Sequence, residues 1–295
     1  MKKGILLILA AVVTVSGCTS AVEDLKTANY NYQYTISLDT DTDEELTESV
    51  NILQNRIDYM PIEASVSEME DSSSVAIKTV YNNRSIIEDT LKEYSYRQKI
   101  PFKVKGTRTL NLSRSLEITN EGDRVVINGS PYQIGEQLDV GNYTLEVNST
   151  GPESSEILIT VLEKDNLNLS TRETRVTDAR QGYSGRVPIR LSREGADRFY
   201  QVLSNYEVGD NGNLQNINDE LVLMQNHLNG ELDDSYALPG SLKASERRDL
   251  SLSFMEQTRS ELERKMGLYR VVVGSSDMPA ELQIESISVL SENQN

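Results

Sequence analysis

Residues 32–57 read YQYTISLDTDTDEELTESVNILQNRI. Two periods meet in this run. Tyr32, Tyr34, Ile36 and Leu38 recur every second residue, which predicts a strand with one buried face. The acids from Asp39 to Glu45 predict a helix start, with an Asp as cap and Glu in the first turn where the dipole favours negative charge. Leu46, Val50, Leu53 and Ile57 follow at helical spacing, and Pro61 ends that helix. Further along, Ala64 and Val66 mark a strand over 63–68, and Asp71-Ser-Ser-Ser74 a turn. A strand follows over 75–80, a helix over 85–94 on Ile86, Ile87 and Leu91, and a strand over 100–105. The order β-α-β-β-α-β predicts a ferredoxin-like unit over residues 30–106.

Helical periodicity stops after that unit. Leu116-Glu-Ile118, Val125-Val-Ile127, Tyr143 to Val147 and Ile157 to Val161 are short strands between turn-forming runs such as Asn128-Gly129 and Val140-Gly-Asn142. They predict an all-β insert and linker over 107–180. The first pattern then returns over 181–295: a strand at 186–191, a helix at 193–205 capped by Ser192, and strands at 221–227 and 232–238. A long helix from Ser245 carries Leu250, Leu252, Phe254, Met255 and Leu262, and strands follow at 270–273 and 282–289. The expected fold is α+β, with two ferredoxin-like (βαββαβ) units around an all-β head, the second unit carrying an extra C-terminal strand.

Lys plus Arg total 29 against 46 Asp plus Glu, a formal net charge of −17. A surface of that sign opposes nucleic-acid binding and electrostatic attraction to anionic lipid. A single cysteine, Cys18, excludes a disulfide within one chain, and with His227 as the lone histidine an ordinary zinc site lacks ligands. The start of the chain reads as an address. Lys2 and Lys3 precede an apolar stretch from Ile5 to Val15, too short to span a bilayer comfortably. Val15-Ser16-Gly17-Cys18 resembles the lipobox of secreted lipoproteins, which implies removal of residues 1–17 and lipid attachment at Cys18. The alternative is a plain signal peptide with an incidental cysteine. On the lipobox reading, residues 18–29 are a polar tether and the protein sits on the outer face of the cytoplasmic membrane. Asn83, Asn111, Asn128, Asn142, Asn148 and Asn168 open N-x-S/T sequons, which an exported chain could carry glycosylated.

Four segments carry a family resemblance. Ile52-Leu-Gln-Asn-Arg-Ile57-Asp-Tyr-Met-Pro-Ile-Glu63 is similar to the "I-x-x-N-R-(V/L)-(D/N)-x-x-G-V-x-E" segment of the SecD subunit of the protein-export machinery. Val187-Pro-Ile-Arg-Leu-Ser-Arg-Glu-Gly-Ala-Asp-Arg-Phe199 resembles that family's "V-x-F-x-L-T-x-E-G-A-x-x-F". Leu221 to Gly230 is similar to "L-A-I-V-L-D-G", and Val273 to Ile284 resembles "L-R-S-G-x-L-P-A-P-L-x-I". The resemblance implies an extracytoplasmic domain that assists export by engaging translocating chains or a translocon subunit, without chemistry of its own. Two departures stand out. The family's "G-L-D-L-x-G-G" is reduced here to Ser37-Leu38-Asp39-Thr40, and a lipoprotein signal stands where the family has its first membrane helix.

Recognisable catalytic patterns are missing: there is no G-x-S-x-G, P-loop or H-E-x-x-H. Asp39, Asp41 and Asp43 alternate as calcium ligands do, but the EF-hand positions for Gly and Glu hold Glu44 and Val50, so a solvated helix start is the better reading. His227 is expected at the surface or in a turn, and Arg247, Arg248 and Arg259 to Lys265 on a salt-bridged helix face. The expected protein is not an enzyme and needs no cofactor. Its partners would be the membrane, through lipid, and translocon subunits or unfolded secreted chains, not nucleic acid. A structural or cell-surface lipoprotein is the alternative.

Overall fold

The alternating run forms β1 (Tyr32–Leu38), with Tyr34, Ile36 and Leu38 buried. The computed structural model describes residues 30–39, 42–69, 74–244, 247–279 and 281–290. Cys18 and the segments expected to be a lipobox and a tether lie outside these residues. The fold is mixed α+β with several antiparallel sheets. The predicted helix is α1 (Asp43–Tyr59), but its cap is Thr42 rather than an Asp: the Thr42 hydroxyl accepts from the Glu45 N–H at 3.2 Å. Asp43, Glu44 and Glu45 fill the first turn; Asp41 is not among the described residues.

The strands β2 (Ala64–Glu68) and β3 (Ser74–Thr79) and the helix α2 (Arg84–Leu91) form as expected, α2 ending three residues earlier than its periodicity suggests. The fourth strand of this sheet is a correction. Its order is β2-β3-β1-β20, where β20 is Leu282–Val289. The segment expected there, around 100–105, is β4 (Tyr96–Val104) and lies in another sheet. Burial explains the exchange. β4 is almost continuously buried and needs cover on both faces, whereas β20 is largely exposed and suits an edge beside β1.

β4 sits inside a six-stranded sheet. Its members are β9 (Gln137–Val140), β10 (Tyr143–Ser149), β11 (Ser155–Glu163), β17 (Leu223–Leu228) and β18 (Glu231–Ala237), in the order β18-β17-β4-β11-β10-β9. The expected insert is therefore divided. β9 to β11 extend this sheet, while β5 (Thr107–Asn111), β6 (Ser115–Asn120), β7 (Val125–Ile127) and β8 (Ser130–Tyr132) form a separate meander. Asn128 and Gly129 turn β7 into β8 with φ of 48° and 85°, the left-handed pair a tight hairpin requires.

The expected second unit is also divided. β14 (Gly182–Leu191) pairs on one side with β12 (Leu167–Leu169) and β13 (Arg175–Ala179) and on the other with β19 (Asp249–Glu256). β15 (Glu207–Val208) and β16 (Leu214–Gln215) pair with each other, β17 and β18 are in the six-stranded sheet, and β20 is in the first one. The helix α3 (Arg193–Leu203) is capped by Ser192, whose hydroxyl accepts from Gly195 N–H at 2.9 Å. The long helix expected from Ser245 begins only at Arg259, as α4 (Arg259–Gly274) with Thr258 as its cap. Residues 249–256 before it are strand, and residues 270–273, expected as strand, are its last turn.

Two apolar clusters result. One lies between the first sheet and its helices, with Leu53, Ile57 and Ile87 against Tyr34, Ile36 and Ile77. The larger one gathers side chains from Tyr96 to Val273 and joins the other layers. α4 links the two. One side covers β14 and β19, where a Cβ on Gly185 would stand 2.2 Å from the Met266 sulfur. The other side meets α1, and a Cβ on Gly267 would stand 2.8 Å from the Tyr59 carbonyl oxygen.

Arg56, near the end of α1, is 1% exposed and donates throughout its guanidinium. Nη1 reaches the carbonyls of Thr90 (3.0 Å) and Lys92 (3.2 Å) at the end of α2, and Nη2 the Glu93 carboxylate (2.6 Å) and the Ser276 carbonyl (2.9 Å). Nε meets Ser275 Oγ at 3.2 Å. A planar five-donor fork is the side chain able to collect these acceptors at once.

Candidate functional site

β18 and β19 are both edge strands: β18 pairs only with β17 and β19 only with β14 among the described residues. They approach one another at the start of β18 and the end of β19. There Lys265 Nζ from α4 lies 3.6 Å from Asp233, 3.2 Å from Asp234 and 3.2 Å from Glu256. Tyr269 donates to Asp233 at 2.7 Å. Burial opposes the Lys265 charge, but Asp234 and Asp233 outweigh it and hold its pKa above the ordinary lysine value. Burial raises the Asp234 carboxyl, with Lys265 acting in the opposite direction. This cluster pins two strand edges and one helix.

The other end of the same two strands borders a cleft of about 670 Å³. Tyr236 and Ala237 of β18 and Asp249, Leu250, Ser251 and Ser253 of β19 line it, with Ser241 and Leu242 of the 3₁₀ turn Gly240–Ala244. Arg172, Arg186 and Arg247 bring three guanidinium groups to its lining against one acid, Asp249, which pairs with Arg172 at 3.7 Å. Arg186 stands opposite Ser253, and Pro188 opposite Ser251, in the β14–β19 register. Behind the cleft, Asn226 Oδ1 accepts from Tyr96 Oη (3.0 Å) and Gln98 Nε2 (2.9 Å), and Gln98 also reaches Tyr236 Oη at 3.4 Å. Burial raises the Tyr236 pKa, so its hydroxyl stays neutral and can only donate or accept hydrogen bonds. The lining offers cationic and hydroxyl groups beside open strand edges, an arrangement suited to holding an extended chain.

The residues singled out from the sequence lie elsewhere. Cys18 is outside the described residues. Asn111, Asn128, Asn142, Asn148 and Asn168 are exposed and Asn83 is half-buried. Nδ2 of Asn142 donates to Glu194 (2.8 Å) and that of Asn148 to Glu156 (2.7 Å). His227, expected at the surface, is instead buried within β17. Its ring nitrogens face Gln225 Oε1 at 3.2 Å and the Gly230 carbonyl at 3.5 Å. Burial, and then the Lys99 charge, push its pKa down. Arg247 and Arg248 precede a strand rather than riding a helix. Arg259 does pair along its helix with Glu263 at 2.7 Å, while Arg264 crosses to Asp89 on α2.

The cleft itself leaves little trace in the sequence. Its arginines are widely separated along the chain, and the usable signal is the period-two spacing of Leu250, Leu252 and Phe254 around Ser251 and Ser253, which marks β19 as a strand with a polar face. No protein-family model matches the sequence, and no curated protein is similar to it.

Proposed function

We propose that this is a lipid-anchored, extracytoplasmic protein of SecD-like type that assists export by holding extended segments of translocating chains, with no bond-making chemistry of its own. The observation that carries the reading is the cleft between β18 and β19, where two strand edges without a further strand partner among the described residues flank an arginine-lined wall in an otherwise acidic chain. An incoming strand gains main-chain hydrogen bonds at such an edge, and the guanidinium groups favour segments with acidic side chains. The finer fold reading supports the same conclusion. The strand order β2-β3-β1-β20 supports a ferredoxin-like reading of the first sheet, with β20, which follows α4, taking the place of the strand expected directly after α2. The exposure of five sequons favours the second reading, a surface lipoprotein with an extracellular partner.

A photo-crosslinking residue at Ser251 in the membrane-borne protein tests the first reading, with Cys18→Ser as the unanchored control. Adducts with translocon subunits or unfolded secreted chains, lost with Arg186→Glu, are the expected result. Adducts only with folded envelope proteins would move the function to the surface reading.

A further inference from the structure

The first sheet has one end unlike the rest of the molecule. β1 begins there, β3 and β20 finish there, and backbone hydrogen bonds tie them: Asn31 N–H to the Thr79 carbonyl at 3.0 Å and Leu290 N–H to the Asn31 carbonyl at 2.7 Å. Tyr32 stands between Thr79 and Val289 in register, and Tyr34 opposite Ile287. Tyr81 and Val289 are each 72% exposed and Ile287 37%, a set of large apolar groups left in water at one edge. Acids are sparse at this end among the described residues, although the exposed Glu63 stands just before β2, next to the row Ala64, Thr79, Tyr32 and Val289. Residues 30–38, 74–87 and 286–290 contain no Asp or Glu, in a chain with 46 of them, while Lys78 and Arg84 lie among them. Arg84 is paired with Glu88 at 2.8 Å.

We propose that this end of the sheet docks on the lipid bilayer. The inference rests on the reading of Cys18 as the lipid anchor. Cys18 lies 12 positions before Tyr30, so the connecting chain spans at most about 40 Å and enters the fold at this patch. A chain of net charge −17 is repelled by an anionic surface wherever its acids face the lipid. The end formed by β1, β3 and β20, whose residues there carry no acid, is the face that can approach. Tyrosine rings and short apolar side chains suit the headgroup boundary, where one end of the ring stays wet. Lys78 adds attraction to anionic headgroups. Docking would hold the protein at a fixed orientation instead of at the end of a loose leash.

The chain has no tryptophan, so Tyr81→Trp introduces a single indole. The full lipidated protein, carrying either Tyr81→Trp or Ile134→Trp on the exposed β8–β9 turn, is reconstituted on phosphatidylglycerol/phosphatidylcholine vesicles with acyl-chain bromines. Burial at the headgroup boundary predicts that the indole of the Tyr81→Trp protein shifts its emission to shorter wavelength and is quenched roughly twofold. The Ile134→Trp protein should show neither change, and adding Lys78→Glu to Tyr81→Trp should reduce both. Flotation that depends on Cys18, with the indole at position 81 unquenched, overturns docking and leaves the anchor standing. An emission shift at position 81 without bromine quenching means that a second copy covers the patch, and also overturns it. Failure to float overturns anchor and docking together.

Discussion

Arg56 and Ser276 stand 220 positions apart and are joined by a 2.9 Å hydrogen bond from the guanidinium to the backbone carbonyl. The same side chain holds the end of α2 through Thr90 and Lys92, so one arginine sets α1, α2 and the approach to β20 in mutual register. Replacing it by Met leaves those carbonyls without their donor. Because the head is buried, the expected loss is about 3–5 kcal/mol, with Arg56→Lys recovering only part of it since a single ammonium cannot span the acceptors. Urea denaturation measures the loss; a change below about 1 kcal/mol would show that the acceptors find other partners.

Gly267 is where α4 closes on α1. Gly267→Ala places a methyl against the Tyr59 carbonyl, which is backbone and cannot rotate away. The expected cost is about 1–3 kcal/mol by overpacking, although alanine is the better helix former. Thermal unfolding that shows stabilisation instead would mean the two helices are not closely seated.

His227 gives an acid-side pH dependence. Its folded pKa lies below the ordinary 6.5 because burial and Lys99 disfavour the charged ring. Between that folded value and 6.5 the unfolded chain binds more protons, so stability falls as pH drops through this window. His227→Gln should flatten the stability profile below about pH 6.5, measured by chemical denaturation across a pH series. An unchanged slope would assign the dependence to other groups.

Asp277 acts in a lower range. Its hydrogen bond and charge pairing with Lys164, opposed by slight burial, lower its pKa below 3.8. That contribution is present above 3.8 and disappears as pH falls through the folded value. Lys164→Gln should be less stable than the parent at neutral pH, with the two converging at the acid end. Curves that stay parallel to the lowest accessible pH would refute the pairing.

Much of the local structure is legible in the sequence. β1, α1, β2, β3 and α2 follow from clean periods of two and 3.6 between turn residues, because each is decided by its own amphipathic face. The errors cluster where tertiary context overrides the local pattern. Leu250 and Phe254 are also spaced at i,i+4 and Leu252 and Met255 at i,i+3, so the apolar positions of this strand can be read as a helix face. Val271-Val272-Val273 has strand propensity but forms the last turn of α4, where burial of all three decides. Partner choice is the hardest to read. The alternation of Leu282 to Val289 announces a strand without saying which sheet receives it, since pairing between distant segments leaves no local trace. The cleft shares that limit, being assembled from β14, β18, β19 and the loops beside them.

The pairing of β1 with β20 also sets a timetable. Ser37 and Gln283 face each other across 246 positions, so the first sheet to be synthesised is the last to be finished. Until residues 282–289 emerge, β1 presents a bare edge, and the nascent chain carries that vulnerability through most of its manufacture. Contacts of such long loop closure slow the final step of folding. A molecule that leaves its own edge waiting needs protection until its last strand is made.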